Sequence, residues 1–318
     1  FSRYSDNWRD VVEDDQVHLV SVCTPNDTHA EIAVAALAAG KHVWCEKPMS
    51  TTLADSTAMA NAAASSAGKT IIGYNYTKNP AVTHARRLID DGVIGRVSGF
   101  FCRYDVDNEA DGNRPWSWRM SRAQSGTGSN GDVLSHVISV AHFLTNSSIS
   151  RVVGDYTIVH KERADSQAAG QTKIVDNDDM VAALIHFENG VKGHIGASRV
   201  TWGRKCGLRW ELHGTEGTIM YDQERLNELK LFTRQDNPAT DGFRTILTGP
   251  LHEPYAAFLP NGGHGLGYMD VKICELHDLL SAIEANSPVW PSFSDGLKIE
   301  RVMDAVDRSA QTNKWVDV

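Results

Sequence analysis

Paired cysteines, a long apolar run and an excess of basic charge are all missing from this chain. Its five cysteines, Cys23, Cys45, Cys102, Cys206 and Cys274, are odd in number and scattered, with no C-x-x-C. That pattern indicates neither a disulfide frame nor a zinc site, and it makes a reducing, cytoplasmic setting the expectation. No stretch approaches the ~18 consecutive apolar residues that a membrane span needs, so no spanning helix is expected. Lys and Arg number 31 against 40 Asp and Glu, a net charge of −9, which is not the basic footprint of a nucleic-acid binder. There is no internal repeat and no low-complexity tract. The sequence starts at Phe1 rather than Met, which leaves room for a targeting segment upstream. At 318 residues the chain is too long for one small core and suits two domains.

What is present first is a regular alternation. "VHLVSVCTP" is a run of apolar and β-branched residues closed by Pro25, and it reads as a buried strand. "HAEIAVAALAAG" is an alanine-rich helix with Gly40 placed as its C-terminal cap. "KHVWCEKP", "TLADSTAMANAAASSAG" and "KTIIGYNY" follow as strand, helix and strand, and "NWRDVVEDD" is a short helix ahead of them all. Such short joints imply a parallel sheet with right-handed crossovers. A nucleotide-binding domain of this type begins with a strand, a glycine-rich turn and a helix. Nothing before Val17 supplies them, so residues 1–76 read as an incomplete doubly wound (Rossmann-type) domain.

After residue 76 the rhythm changes. A helix from about Asn79 to Asp91 leads to the strand "GRVSGFFCRYDVD", a polar loop and the helix "GDVLSHVISVAHFL". From Ile149 to about Arg234, strand patterns succeed one another. "MVAALIHFENGVKGHIGASRV" is a hairpin around Asn189 and Gly190, with Val181, Ala183, Ile185 and Phe187 on one face. Leu208, Trp210 and Leu212 alternate in the same way. An antiparallel sheet with one packed face is the economical reading. Residues 235–265 form a long Gly/Pro-rich segment, and helices over 266–286 and 294–312 close the chain. The fold class is therefore α/β. It joins the incomplete first domain to a C-terminal α/β domain, residues 77–318, with a large, mainly antiparallel sheet and a last helix able to pack back on the first domain.

Two stretches carry candidate chemistry. In "HVWCEKPMS" a buried strand ends in an acid, a lysine and a proline. Solvated turn residues are the plain explanation. Yet the carboxyl edge of a parallel sheet is where ligands bind, and proline restricts the residue before it, so Lys47 is aimed. Lys47–Pro48 is also a candidate cis bond. The second stretch is "GTGSNG", Gly126 to Gly131, which matches G-x-G-x-x-G by letter. It lacks the preceding buried strand that a dinucleotide fingerprint requires, and it reads as a flexible approach to a helix N-terminus. On that helix Val133, Val137, Val140 and Leu144 form a core stripe, while Asp132, His136 and Ser139 share the neighbouring one. A carboxylate and an imidazole thus lie one turn apart. Asp132 equally suits a first helical turn, and His136 a boundary position. A metal centre would need a third ligand, and His142 points elsewhere, so none is indicated.

"CEKP" closing a strand, followed by "GDVLSH" opening a helix, resembles the Gfo/Idh/MocA family of nicotinamide-dependent oxidoreductases. The "TPNDTH" turn, "GYNY", "GRV" and the late meander fit the same family, and the likeness covers essentially the whole chain. "PWSWRM" and "GFRTILTGPLHEPYAAFLPNGGHGLGY" are most similar to its inositol and sugar dehydrogenase branch. The resemblance implies hydride transfer between a cyclic polyol or sugar (inositol, L-glucose or anhydrosugar type) and NAD, with NADP as the alternative cofactor. It also implies a homo-dimer or homo-tetramer built through the open sheet. Its catalytic trio maps onto Lys47, Asp132 and His136, although many relatives carry an aspartate where this chain has Ser139.

In that frame His136, titrating near neutrality, suits the general base. Asp132 tunes charge or holds substrate, and protonated Lys47 stabilises the reacting oxygen. Thr24, Pro25, Asn26, His29, Glu46, Lys47 and Asn75 are the candidates on the cofactor side, at strand ends. Arg119 and His264 are the candidates for substrate hydroxyls, Arg119 for its fork of donors, with plain loop polarity as the alternative for both. Trp116 and Trp118 are either a sugar-stacking face or buried packing. Two rival readings stand beside the dehydrogenase. One is an NAD-dependent glycosidase of the same fold, and the other a non-catalytic fragment lacking the cofactor loop.

Overall fold

The strands that were expected to be parallel form a small sheet of their own. The computed structural model describes residues 3–234 and 238–318. Helix α1 (Trp8–Glu13), capped by the Asn7 side chain, precedes β1 (Leu19–Val22). Helix α2 (His29–Ala38) leads to β2 (His42–Cys45), and α3 (Leu53–Ala64) to β3 (Thr70–Ile72). The three strands pair in parallel in the order β1-β2-β3. Gly40 adopts φ +73° just beyond α2, the left-handed conformation that lets the chain leave a helix without a Cβ clash. β3 is shorter than expected, and "NYTK" forms a 3-10 turn, Asn75–Lys78. Asn75 therefore does not end a strand. Lys47–Pro48 is cis.

Helix α4 (Pro80–Asp90) starts at a good cap, with Asn79 accepting from the Ala81 amide and Pro80 at the first helical position. Strand β4 (Val97–Asp105) and a short helix α5 (Arg122–Ser125) follow. The next helix departs from expectation. Asn130–Leu134 is a π-helical turn, and regular helix α6 begins only at Ser135 and ends at Thr145. The core stripe Val133, Val137, Val140 and Leu144 is buried, but so are His136, Ser139 and His142. α6 is enclosed on nearly every side, because it lies between the large sheet and the last helix.

That sheet has nine strands in the order β13-β12-β11-β10-β4-β9-β8-β5-β14. In chain order the remaining strands are β5 (Ile149–Thr157), a small hairpin of β6 (Glu162–Ala164) and β7 (Thr172–Ile174), β8 (Met180–Phe187) and β9 (Lys192–Ser198). Then come β10 (Gly207–Gly214), β11 (Gly217–Asp222), β12 (Glu228–Thr233) and β13 (Arg244–Leu247). The expected hairpin is β8–β9, and its Val181, Ala183, Ile185 and Phe187 are buried while Leu184 is exposed. The sheet is mixed rather than purely antiparallel, because β4 and β9 run parallel at its centre. β4 arrives from the first domain and can pair only after the chain has returned, so its partners are non-local. The 235–265 segment is not all loop: β13 adds an edge strand inside it, and residues 235–237 lie outside the described residues. Helix α7 (Tyr268–Glu284) and helix α8 (Phe293–Thr312) follow, α8 starting at a Ser292/Asp295 capping box. α8 packs on α3 and β5, with Gly296 lying where a Cβ would stand 3.0 Å from both Ile72 and Met49. A final short strand β14 (Val316–Asp317) pairs with β5. Sequence pattern gave no sign of it, because two residues carry no periodicity.

Candidate active site

The site forms where the carboxyl ends of β1 and β2 face the start of α6. Past Cys45 the backbone carries Glu46 and Lys47 over the sheet edge. The Lys47 ammonium donates to Asp132 Oδ1 and to the Asp132 carbonyl, each at 2.6 Å. The pairing falls on the π-helical turn, where Asp132 presents both its carbonyl and its carboxylate to one cation. An ammonium has three donors, so one remains beyond these two. Behind Lys47, Glu300 of α8 accepts the Met49 amide at 2.8 Å. Burial pushes the Glu300 carboxyl up to about 8, against the Met49 and Ser50 amide hydrogen bonds.

Asp132 sits deep among protein atoms, yet 44% of its side chain is open to the cleft. The Lys47 ammonium holds its carboxyl below the usual range, against burial, with Arg119 and Arg199 adding to the effect. His136, one turn on, is only 5% exposed. Three tyrosines surround it. Tyr76 lies tilted by 31° at 4.4 Å, and Tyr74 and Tyr104 stand edge-on at 5.6 and 5.9 Å. The Tyr76 and Tyr104 hydroxyls meet at 2.9 Å, and His136 Nδ1 is enclosed without a hydrogen-bond partner. Burial first, then Lys47 and Lys272, push the His136 imidazole well below its ordinary value, so it is neutral at neutral pH.

The cleft in front of these groups has a volume of about 470 Å³, within the roughly 300–1,000 Å³ usual for small-molecule sites. The structure places the expected residues unevenly around it. Thr24, Pro25, Asn26, His29, Glu46, Lys47, Arg119 and Asp132 line it. His136 does not, and lies a layer deeper. His29 faces both adjoining turns, its ring nitrogens each 3.0 Å from a carbonyl oxygen, of Pro48 and of Thr24. Asn75 is buried away from the lining with its Nδ2 unpartnered. His264 is exposed, contacts the Asn261 carbonyl and is outside the lining, because its loop is anchored instead to Asn227 through Leu266. Trp118 lines the cleft with the Arg119 guanidinium over its ring at 4.4 Å. Trp116 instead donates to the Ile174 carbonyl.

The glycine motif has its own occupant. The Gly128 and Asn130 amides donate to the two carboxylate oxygens of Asp178, at 2.8 and 2.7 Å. A Cβ at Gly128 would collide with the Asp178 backbone. The anion at this helix start is therefore the protein's own side chain. Burial nonetheless raises the Asp178 carboxyl, with those amides opposing.

Sequence reasoning missed Arg199 and Lys272. Arg199 follows β9, lines the cleft and is almost fully buried in an ion pair with Asp179 at 2.8 Å. Its position, a cation just past the carboxyl end of a strand, resembles that of Lys47. Lys272 on α7 holds Glu46 at 2.6 Å and Glu275 at 3.1 Å. No local pattern marks it. Among the described residues no cluster of His, Cys, Asp or Glu is built to hold a metal, and no helix is long and apolar enough to cross a membrane.

The residues present fit the nicotinamide end of a dinucleotide. Two strand-end turns, Thr24–Asn26 and Glu46–Pro48, lie side by side along a polar cleft at the sheet's carboxyl edge, with an ammonium and a neutral imidazole nearby. Residues 2–74 match the oxidoreductase family with NAD-binding Rossmann fold, and residues 82–220 match the GFO/IDH/MocA C-terminal domain. Levoglucosan dehydrogenase of Pseudarthrobacter phenanthrenivorans is 38% identical over 329 aligned positions, covering 100% of this chain and 84% of that protein. Inositol 2-dehydrogenase of Rhizobium meliloti is 24% identical, over 95% of this chain and 81% of its own length. A solved levoglucosan dehydrogenase in complex with NADH and levoglucosan superposes with TM-score 0.95 at 38% identity, covering 99% of this chain and 84% of that one.

Proposed function

The chain belongs to the GFO/IDH/MocA family of NAD-dependent oxidoreductases, and we propose that it oxidises a secondary alcohol of a cyclic polyol or sugar of inositol, L-glucose or anhydrosugar type. Its relatives include sugar and polyol dehydrogenases. The observation that carries the finer reading is the Lys47–Asp132 pair in a polar cleft directly in front of a neutral, uncommitted imidazole. We assign residues 1–76 to the cofactor module and 77–318 to the substrate module, whose open sheet face would carry self-association.

Bound NAD would supply the acceptor for the hydride that leaves the substrate carbon with its electron pair. Thr24, Pro25, Asn26 and Glu46 would hold it at the strand ends. Lys47, kept in place by Asp132, turns its remaining N–H to the reacting oxygen and stabilises negative charge there as the carbon–hydrogen bond weakens. The hydroxyl proton passes to a ring nitrogen of His136, which burial and two ammonium groups keep unprotonated beforehand. Asp132 balances the charge of Lys47 and accepts from a neighbouring hydroxyl on its cleft side. Arg119 and Trp118 offer donors and a flat face to the sugar ring.

The test is to incubate the protein with NAD and, in turn, levoglucosan, scyllo-inositol and L-glucose, following NADH absorbance, with nitrophenyl glycosides assayed in parallel. NADH formation with one of the alcohols is expected. Glycoside release without net NADH would replace the dehydrogenase with the glycosidase reading.

A further inference from the structure

The fastening of the strand end that carries Lys47 lies far away in the chain. Glu46 and Lys272 are 226 residues apart, yet the Lys272 ammonium sits 2.6 Å from Glu46 Oε1. Glu46 Oε2 in turn faces the Lys47 amide at 3.4 Å. The same ammonium pairs with Glu275, fully buried, whose Oε2 also accepts the Trp44 indole N–H at 3.0 Å. α7 is thus bolted to β2 on both sides of Cys45. The fit is close. A Cβ on Gly73, at the end of the neighbouring strand, would stand 2.7 Å from Glu46 Oε2 and 3.1 Å from Lys272 Nζ.

Burial works against the Lys272 charge, but Glu275 and Glu46 outweigh it and raise its affinity for the proton. A cation held this way is permanent at working pH, and its field extends inward. One turn earlier on α7, the Tyr268 ring lies 6.2 Å from Tyr76, the tyrosine that covers His136. Around His136 the charged and titratable groups are Asp132 on its own helix, Lys47 from β2, Lys272 from α7, Tyr104 from β4, and Tyr74 and Tyr76 after β3.

We propose that Lys272 is a positioning residue for the reaction, holding the Glu46–Lys47 peptide through its salt bridge to Glu46. The proposal rests on the reading of Lys47 and His136 given above. A merely structural bolt would fasten α7 to β2 and do nothing else, so the two roles separate experimentally.

The variants are K272M, K272R and E275Q, read by melting temperature, steady-state kinetics with NAD and the preferred polyol, and NMR titration of the His136 imidazole in the protein alone. With K272M, kcat is expected to fall about tenfold or more, the scale set by misplacing a catalytic group, while KM for the polyol stays within about twofold. The His136 midpoint rises, the direction expected on removing a nearby cation. K272R restores both. E275Q, which disturbs the bolt but leaves Glu46 paired, changes neither. Equal loss of stability and activity in K272M and E275Q, with His136 unmoved in both, would overturn the proposal. If K272M does not fold, E46Q reads the same link from its other end: kcat falls while His136 stays put, and unaltered kcat refutes the link. A wild-type protein inactive on every polyol would instead sink the proposed function, while the NMR arm still reads Lys272.

Discussion

Replacing Lys47 by Met tests the site most directly, because the side chain length is kept and only the ammonium is removed. The structure lets the catalytic and structural costs be separated. On the catalytic side one charged donor at the reacting oxygen is lost, worth about 2.7–4 kcal/mol, or 10²–10³ in kcat. On the structural side the lost partner is Asp132, whose side chain is 44% open to cleft water while that of Lys47 is 18% exposed. Screening there limits the pair to about 1 kcal/mol or less, so the melting temperature should fall by only a few degrees. The sign with pH follows from Asp132, which Lys47 holds below its usual range. A depressed folded value contributes stability above the unfolded carboxylate value of about 3.9, and that contribution is lost as pH falls through the folded one. The difference in melting temperature between wild type and K47M should therefore be present at pH 7 and fade in acid. Losing the cation also raises His136, moving the acid limb of the rate profile upward. Turnover near wild type in a folded K47M protein would refute the assignment. A loss of several kcal/mol of stability would refute the screening argument.

Three further outcomes are expected. R199M leaves Asp179 buried without its cation, and urea unfolding should show a loss of about 3–5 kcal/mol. G73A brings a Cβ against the ends of Glu46 and Lys272; because flexible side-chain tips can yield, steady-state kinetics should record a several-fold drop in kcat while stability changes by less than about 1 kcal/mol. E300Q removes a carboxyl that burial raises to about 8. A raised folded value means that wild type loses stability as pH climbs from the unfolded carboxyl range, about 4.3, toward 8, so denaturation at pH 5 and pH 8 should show the variant gaining on wild type by up to about 3–4 kcal/mol.

Much of this molecule was legible one residue at a time. The alternation of "VHLVSVC", "HAEIAVAALAAG" and "KHVWC" determines strand, helix and strand because it states which faces are buried. The glutamate, lysine and proline after β2 stand at a sheet edge for the same local reason. Asp132 and His136 share a stripe of one helix, and that spacing is also local. Other features depended on what the chain meets after it folds. The turn at Asp132 widens to a π-helix where Lys47 finds both its carboxylate and its carbonyl. The His136 imidazole is pushed below its ordinary value because α6 is enclosed by elements that arrive from the rest of the chain. Asp178 fills a glycine turn that reads, by letter, as a nucleotide site. Lys272 reaches Glu46 only through the placement of α7 against β2. Periodicity encodes the orientation of a side chain relative to a core, but it carries no address for a partner 226 residues away. Which cation stands beside which acid, and how dry the pair becomes, is decided by packing.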